Sequence, residues 1–287
     1  MPSYVVTGAN RGLGYAFITH LAFLPNTTVI ALARNASATH SRLAADNIHN
    51  VHVFAADITD PAALRAAAAE VSQLTGGKLD VLINNAGLVS TRSAWTTVLD
   101  DSPEGLEEDL MSSFRVNVVG VAHTINAFLP LIRKGELKKV VTLSTGMADG
   151  EFVNSFGLPI AAPYSISKAA VNMLVVKYNA ALGKSEGILF LALSPGLVDT
   201  SEGAPMSEQD MAGAQAMGYD YNRSSTDGAL ADYLHLRRSV FGNYAPHFTG
   251  PITPEDSVKM QMDVINKATV ETSGGAFVSH FGNKQWL

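Results

Sequence analysis

The chain has 287 residues, 47% of them hydrophobic and 16% charged, with a formal net charge of -6 and no cysteine. That balance suits a compact α/β protein and excludes a disordered chain, while the acidic charge and the lack of a basic run argue against nucleic acid and anionic membrane as partners. With no disulfide framework or thiolate metal site, no long apolar run, and a strand read from residue 3 onward, the expectation is a soluble, cytoplasmic protein without a secretion signal or membrane span.

Residues 4–6 are a short apolar strand of the kind buried on both faces of a parallel sheet. It runs straight into Thr7-Gly8-Ala9-Asn10-Arg11-Gly12-Leu13-Gly14 and then into an apolar helical stretch, 15–24. Glycines at 8, 12 and 14 permit a tight turn and close approach of a ligand, and the free N–H groups at the helix start suit a pyrophosphate. The spacing is T-G-x-x-x-G-x-G, and strand, turn and helix stand in the order phosphate binding needs. A second strand, 27–33, ends at Arg34. Dinucleotide folds carry an acid at this point for the ribose 2′-hydroxyl of NAD, or an arginine for the 2′-phosphate of NADP. With Arg34 there, no carboxylate beside it, and Arg11 in the turn aimed at the same region, NADP is the expected cofactor.

The third strand, 51–55, is followed by Asp57-Ile58. Asp60-Pro61 caps an alanine-rich helix that Gly76-Gly77 stops, which is expected to leave Asp57 free. The fourth strand, 79–83, runs into Asn84-Asn85-Ala86-Gly87, and beyond it Trp95 reads equally as a pocket wall or a packing residue. A long apolar-periodic helix from about 106 to 133 carries Asn117. Its apolar positions (Val116, Val119, Val121, Ile125, Phe128, Leu131) are too many for one core face, so a homodimer or homotetramer pairing such helices is expected. The fifth strand, 140–143, ends in Ser144-Thr145-Gly146, and an extra loop with Asp149, Glu151 and Asn154 follows.

Pro163 then opens a helix that carries Tyr164 and Lys168 four residues apart, so both side chains leave one face. A lysine beside a tyrosine favours the phenolate and lowers a pKa that is ~10 when unperturbed, which makes a proton donor or acceptor. Alone, such a pair is also the ordinary make-up of a solvated helix face. The sixth strand, 188–193, leads to Ser194-Pro195-Gly196-Leu197-Val198-Asp199-Thr200. Residues 201–250, with Met206, Met211, Met217, Tyr219, Tyr221 and Tyr244, read as an adaptable apolar lid or as gap-filling and oligomer contacts. Thr253-Pro254-Glu255-Asp256 caps a last helix, and 275–280 is a seventh strand. None of the eight histidines stands at ligand spacing to a carboxylate or another histidine, so no metal is expected.

The octet 7–14 and the pair Tyr164/Lys168 together resemble the short-chain dehydrogenase/reductase family, from residue 3 to about 200 and again in the last strand, and in particular its NADP-preferring, carbonyl reductase-like members. The resemblance implies one Rossmann-like, doubly wound domain over 1–287: a mostly parallel seven-stranded sheet with helices on both faces and a substrate loop at 201–250. It implies that Gly8, Asn10, Arg11, Gly12, Leu13, Gly14 and Arg34 bind the cofactor, with Asp57-Ile58 at the adenine and Asn85-Ala86-Gly87 against the dinucleotide. Pro195, Gly196, Val198 and Thr200 would lie at the nicotinamide and its phosphate. Tyr164 would pass the proton, Lys168 would lower its pKa and hold the ribose, and Asn117 would bind, through its backbone, a water contacting the lysine. The family usually has two serines after the fifth strand; here Ser144 and Thr145 share that place, and either hydroxyl could polarise the substrate.

The expected activity is NADPH-dependent reduction of a ketone or aldehyde, or the reverse oxidation of an alcohol, on a small-molecule substrate. Two rivals remain open: a cofactor-binding regulator without turnover, and a lyase, isomerase or cyclase that keeps the cofactor as a scaffold.

Overall fold

The computed structural model describes residues 1–203, 244–245 and 250–287. Seven strands form one sheet: β1 (Ser3–Thr7), β2 (Thr28–Ala33), β3 (Val51–Ala55), β4 (Val81–Asn84), β5 (Lys139–Leu143), β6 (Leu189–Ser194) and β7 (Phe277–Ser279). The order is β3-β2-β1-β4-β5-β6-β7 and every pairing is parallel. The chain winds outward from β1 to β3, then returns to place β4 on the other side of β1. That reversal opens a crevice beyond the carboxyl ends of β1 and β4.

The central strands β1, β4 and β6 are buried along their whole length, whereas the edge strand β3 exposes His52 and Ala55. Val5 pairs with Ile30 and Leu82, whereas the next residue, Val6, pairs with Ala31 and Ile83. Alternate residues point to opposite faces. Val5, Ile30, Leu82 and Phe190 accordingly enter one core, under α3 (Pro61–Thr75), α5 (Val121–Ile132) and α7 (Ala162–Tyr178). Val6, Val29, Ile83 and Val141 enter the other, under α1 (Gly12–Ala22) and α8 (Pro254–Lys267). α2 (Ala36–Ala45) adds Leu43 to that second core.

Helix boundaries follow local chemistry. Asp60 Oδ1 accepts from the Ala62 and Ala63 N–H groups at 2.8 and 3.1 Å, and α3 ends at Gly76 with φ +64°. Thr253 Oγ1 accepts from Asp256 N–H at 3.1 Å at the start of α8.

Three features differ from expectation. The long helix begins at α4 (Pro103–Phe114), capped by Ser102, and its middle, Arg115–Gly120, is π-helical before α5 continues it. The rod Pro103–Ile132 is long and apolar enough, by length and composition, to cross a membrane, although no such stretch was expected; half of its most apolar window is buried. The extra loop after Thr145 instead folds as α6 (Gly150–Phe156), because Asp149 caps it and Phe152 packs against Phe156 and Tyr244 with ring centroids 5.1 and 5.3 Å away. Of the proposed lid, Met206, Met211, Met217, Tyr219 and Tyr221 lie outside the described residues.

Candidate active site

A cleft of about 920 Å³ opens where the strand order reverses. Its floor is the glycine turn. A Cβ on Gly14 would sit 2.2 Å from the Gly8 carbonyl oxygen, and one on Gly8, which has φ +64°, would sit 2.8 Å from Ala86 Cα. Both positions therefore need glycine. The turn is tied to the β4 end by Thr7, whose hydroxyl accepts from the N–H groups of Asn85 and Ala86 at 3.1 and 3.0 Å. In return, the Asn85 amide donates to the Thr7 and Gly8 carbonyls at 2.9 and 3.2 Å. Asn85 thus lines the cleft while its side chain is committed to holding the turn.

Gly8, Asn10, Arg11, Gly12, Leu13, Gly14, Arg34, Asp57, Ile58, Asn85, Ala86, Gly87, Ser144, Tyr164, Lys168, Pro195 and Thr200, all singled out in the sequence, share this lining. The expectation that Asp57 is free fails. Its Oδ1 accepts from the Thr59 N–H and hydroxyl at 2.8 and 2.7 Å. These bonds, the backbone one foremost, hold its carboxyl below the usual range against burial, with Arg34 and Arg115 nearby adding to the effect.

Gly196 and Val198 are not among the lining residues. A Cβ on Gly196 would meet the His280 ring at 2.6 Å, and Val198 forms a parallel bridge with Ile252, so this turn is braced from behind. Ser257, on α8, donates to the Pro195 carbonyl at 2.7 Å and accepts from Gln261 at 2.9 Å.

At the other end of the cleft stand the titratable groups. Tyr164 is half-buried, and burial pushes its hydroxyl up to about 12, with a hydrogen bond to Thr145 acting in the opposite direction. Lys168 is buried, and that burial brings its ammonium down to about 8. The expected lowering of the tyrosine by Lys168 is not found. The ammonium donates to the Leu143 carbonyl at 2.7 Å and lies 5.8 Å from the Tyr164 ring centroid, and desolvation is the larger influence on the phenol. A tyrosine in this state holds its proton at neutral pH, and burial works against its release. Between the two hydroxyls after β5, Thr145 bonds Tyr164, whereas the buried Ser144 Oγ has no hydrogen-bond partner among the described residues.

Asn117 is fully buried in the π-helical segment. Its Oδ1 accepts from Leu88 N–H at 2.7 Å, and its Nδ2 donates to the Leu88 carbonyl and to Ser167 Oγ, both at 2.9 Å. Ser167 in turn donates to the Tyr164 carbonyl at 2.7 Å. The side chain therefore clamps the segment after β4 to the helix of Tyr164, a role that residue type and helical spacing did not signal.

Sequence reading missed Leu88, Val89, Ser112, Arg115 and Val116, which also line the cleft. Ser112, Arg115 and Val116 come from α4 and the π segment, where no local pattern marks a site. Trp95 is half-buried and not among the lining residues.

The glycine cradle fits a dinucleotide: side chains there would fill it, the Gly12 N–H is already bonded to a carboxylate oxygen of Glu202, and Arg11 and Arg34 add positive charge. Comparison with known proteins agrees with this geometry. A family model described as short chain dehydrogenase matches residues 3–211. Short-chain dehydrogenase/reductase AacuF of Aspergillus aculeatus is 52% identical over all of both chains, and short chain dehydrogenase virK of Hypocrea virens 43%, again over all of both. Among solved structures, NADPH bound carbonyl reductase from chicken fatty liver superposes with a TM-score of 0.73 at 25% identity, covering 99% of this chain and 98% of that one. A short chain dehydrogenase from Burkholderia cenocepacia in complex with NADP shares the fold, with a TM-score of 0.68 at 21% identity over 99% and 97% of the two chains. The cradle, the Tyr164–Lys168 helix and these likenesses establish that the chain belongs to the short-chain dehydrogenase/reductase family of oxidoreductases.

Proposed function

We propose that the cleft takes NADP(H) and that the protein reduces a ketone or aldehyde to an alcohol, or runs the reverse reaction. The observation that carries this reading is the meeting, in one cleft, of Tyr164 and Lys168, with Thr145 bonded to the tyrosine, and of the glycine turn with Arg11 and Arg34. The cofactor named for the chicken and Burkholderia proteins supports the same choice.

When bound, the cofactor supplies or accepts the hydride at its nicotinamide ring. The chain's own residues do the rest. Gly8, Gly12 and Gly14 let the backbone approach the dinucleotide, and Arg11 and Arg34 meet the 2′-phosphate as planar donors. Tyr164 gives its hydroxyl proton to the substrate oxygen, and Thr145 donates to that oxygen as charge develops on it. Lys168, held by the Leu143 carbonyl, offers its remaining protons to the ribose hydroxyls. Asn117 keeps the Leu88 segment and the Tyr164 helix in register.

The test is oxidation of NADPH and, separately, NADH against a panel of aldehydes, ketones and quinones, with Tyr164→Phe alongside. Turnover favouring NADPH that vanishes in the variant is expected. Turnover surviving the substitution would remove Tyr164 from the chemistry, and equal use of NADH would remove the cofactor preference.

We also infer that two copies pair through α4 and α7. Met111 (64%), Phe114 (41%), Ile166 (51%) and Met173 (57%) are exposed on these helices, which pack against each other, and exposed apolar groups on adjacent helices favour burial by a second copy. Light scattering should give a dimer or its multiple that Met173→Glu dissociates; a monomer at micromolar concentration would refute the pairing.

A further inference from the structure

Arg42 stands on α2, outside every motif read in the sequence, yet its guanidinium reaches the glycine turn. Nη1 donates to the Asn10 carbonyl at 3.3 Å and to Glu202 Oε1 at 2.8 Å, and the group lies 3.8 Å above the Tyr15 ring centroid. The Tyr15 hydroxyl is itself bonded to Asp46, so the platform under the guanidinium is fixed. The same Glu202 oxygen also accepts the Gly12 N–H, at the start of α1, at 3.1 Å. Thr200, two residues earlier, lies against Gly12: a Cβ there would come within 3.3 Å of the Thr200 side chain. One anionic oxygen is thus held between a helix N-terminal N–H and an arginine, the coordination that a phosphate oxygen takes. Arg11 adds to the positive surroundings of that carboxylate.

We propose that Arg42 is a further phosphate-binding residue of the cofactor site, and that Glu202 is its placeholder, a carboxylate occupying a phosphate oxygen's position until the cofactor displaces it. This rests on the cofactor reading above. Exposure supports the exchange. The Arg42 and Glu202 side chains are 35% and 43% exposed, and an ion pair that open is held weakly. A phosphate brings more charge and more acceptor oxygens to the same donors, so it wins the position, whereas a neutral ligand does not. Glu202, once displaced, has solvent available to it.

The experiment is calorimetric titration of the full chain with NADPH and with NADH, for the wild type, Glu202→Gln, Arg42→Ala and Arg42→Lys, with thermal unfolding of each as a folding control. Glu202→Gln keeps the shape and removes the competing charge, so NADPH should bind about threefold to tenfold tighter. Arg42→Ala should bind NADPH about tenfold more weakly, with Arg42→Lys between it and the wild type. A loss confined to NADPH would put Arg42 at the 2′-phosphate, and a loss shared with NADH would put it at the pyrophosphate; either supports the proposal. If the wild type binds cofactor while Glu202→Gln binds it no more tightly, or Arg42→Ala binds it equally well, the proposal is overturned. If the folded wild type binds neither cofactor, the cofactor reading falls first and takes this inference with it.

Discussion

The two ends of the cleft are built in different ways. The glycine turn works through backbone: its positions are set by what a Cβ would strike, and its polar groups are N–H and C=O groups pinned by Thr7 and Asn85. The Tyr164–Lys168 end works through side chains whose states depend on burial, since Tyr164 is pushed up to about 12 and Lys168 down to about 8 by the protein around them. A backbone site is defined by the room it leaves, whereas a side-chain site depends on the particular hydroxyl and ammonium groups it holds.

The contrast can be broken at several points. Tyr164→Phe keeps the ring and loses the proton, so turnover should fall about a hundredfold to ten-thousandfold while NADPH still binds; loss of binding as well would mean that the two ends are not separable. Gly14→Ala should do the reverse, abolishing cofactor binding and costing about 1–3 kcal/mol of stability, because the new methyl meets the Gly8 carbonyl. Calorimetry and denaturant unfolding read both quantities.

Asn117→Ala tests the link between the ends. Its removal leaves the Leu88 N–H and carbonyl without their side-chain partner, at about 1–3 kcal/mol for a buried group left unsatisfied. The expected result is a lower unfolding midpoint together with a lower turnover number.

Lys168→Met sharpens the comparison further. A buried lysine with a folded pKa of about 8 against 10.5 unfolded costs about 3 kcal/mol at neutral pH. That penalty is fully present below about pH 8 and is relieved as the pH rises to 10.5, where the unfolded chain also loses the proton. The variant should therefore be inactive and yet about 1–2 kcal/mol more stable at pH 7, part of the gain being lost with the bond to Leu143. Its stability should also lack the wild type's rise between pH 8 and 10.5. The smallest effect belongs to Asp60→Ala, away from both ends, where loss of the α3 cap should cost about 1 kcal/mol and leave turnover unchanged.

Much of the backbone end was legible in the chain itself. Strand, glycine turn and helix are local patterns, and so are the Asp60 cap and the Gly76 stop. The side-chain end was legible as residues but not as states. Nothing near Lys168 in sequence shows that it turns to the Leu143 carbonyl, and nothing near Asn117 shows that it clamps Leu88, because those partners are 25 and 29 residues away. Asp57 was misread for the opposite reason. Asp60 was the stronger cap, which hid the fact that Asp57 closes its own turn on Thr59 two residues later.

The π-helical segment Arg115–Gly120 acts as a phase shifter in the long rod. An α-helix advances about 100° per residue, so one extra residue in a wider turn rotates everything before it relative to everything after it. That offset lets α4 face α7 while α5 faces the sheet core, and it presents Arg115 and Val116 to the cleft while Asn117 points to Leu88. Deleting a single residue there would swing α4 by about a quarter turn relative to α5. The cofactor wall, the clamp and the exposed apolar face would lose their alignment together, so the segment's length is constrained even where its side chains are not.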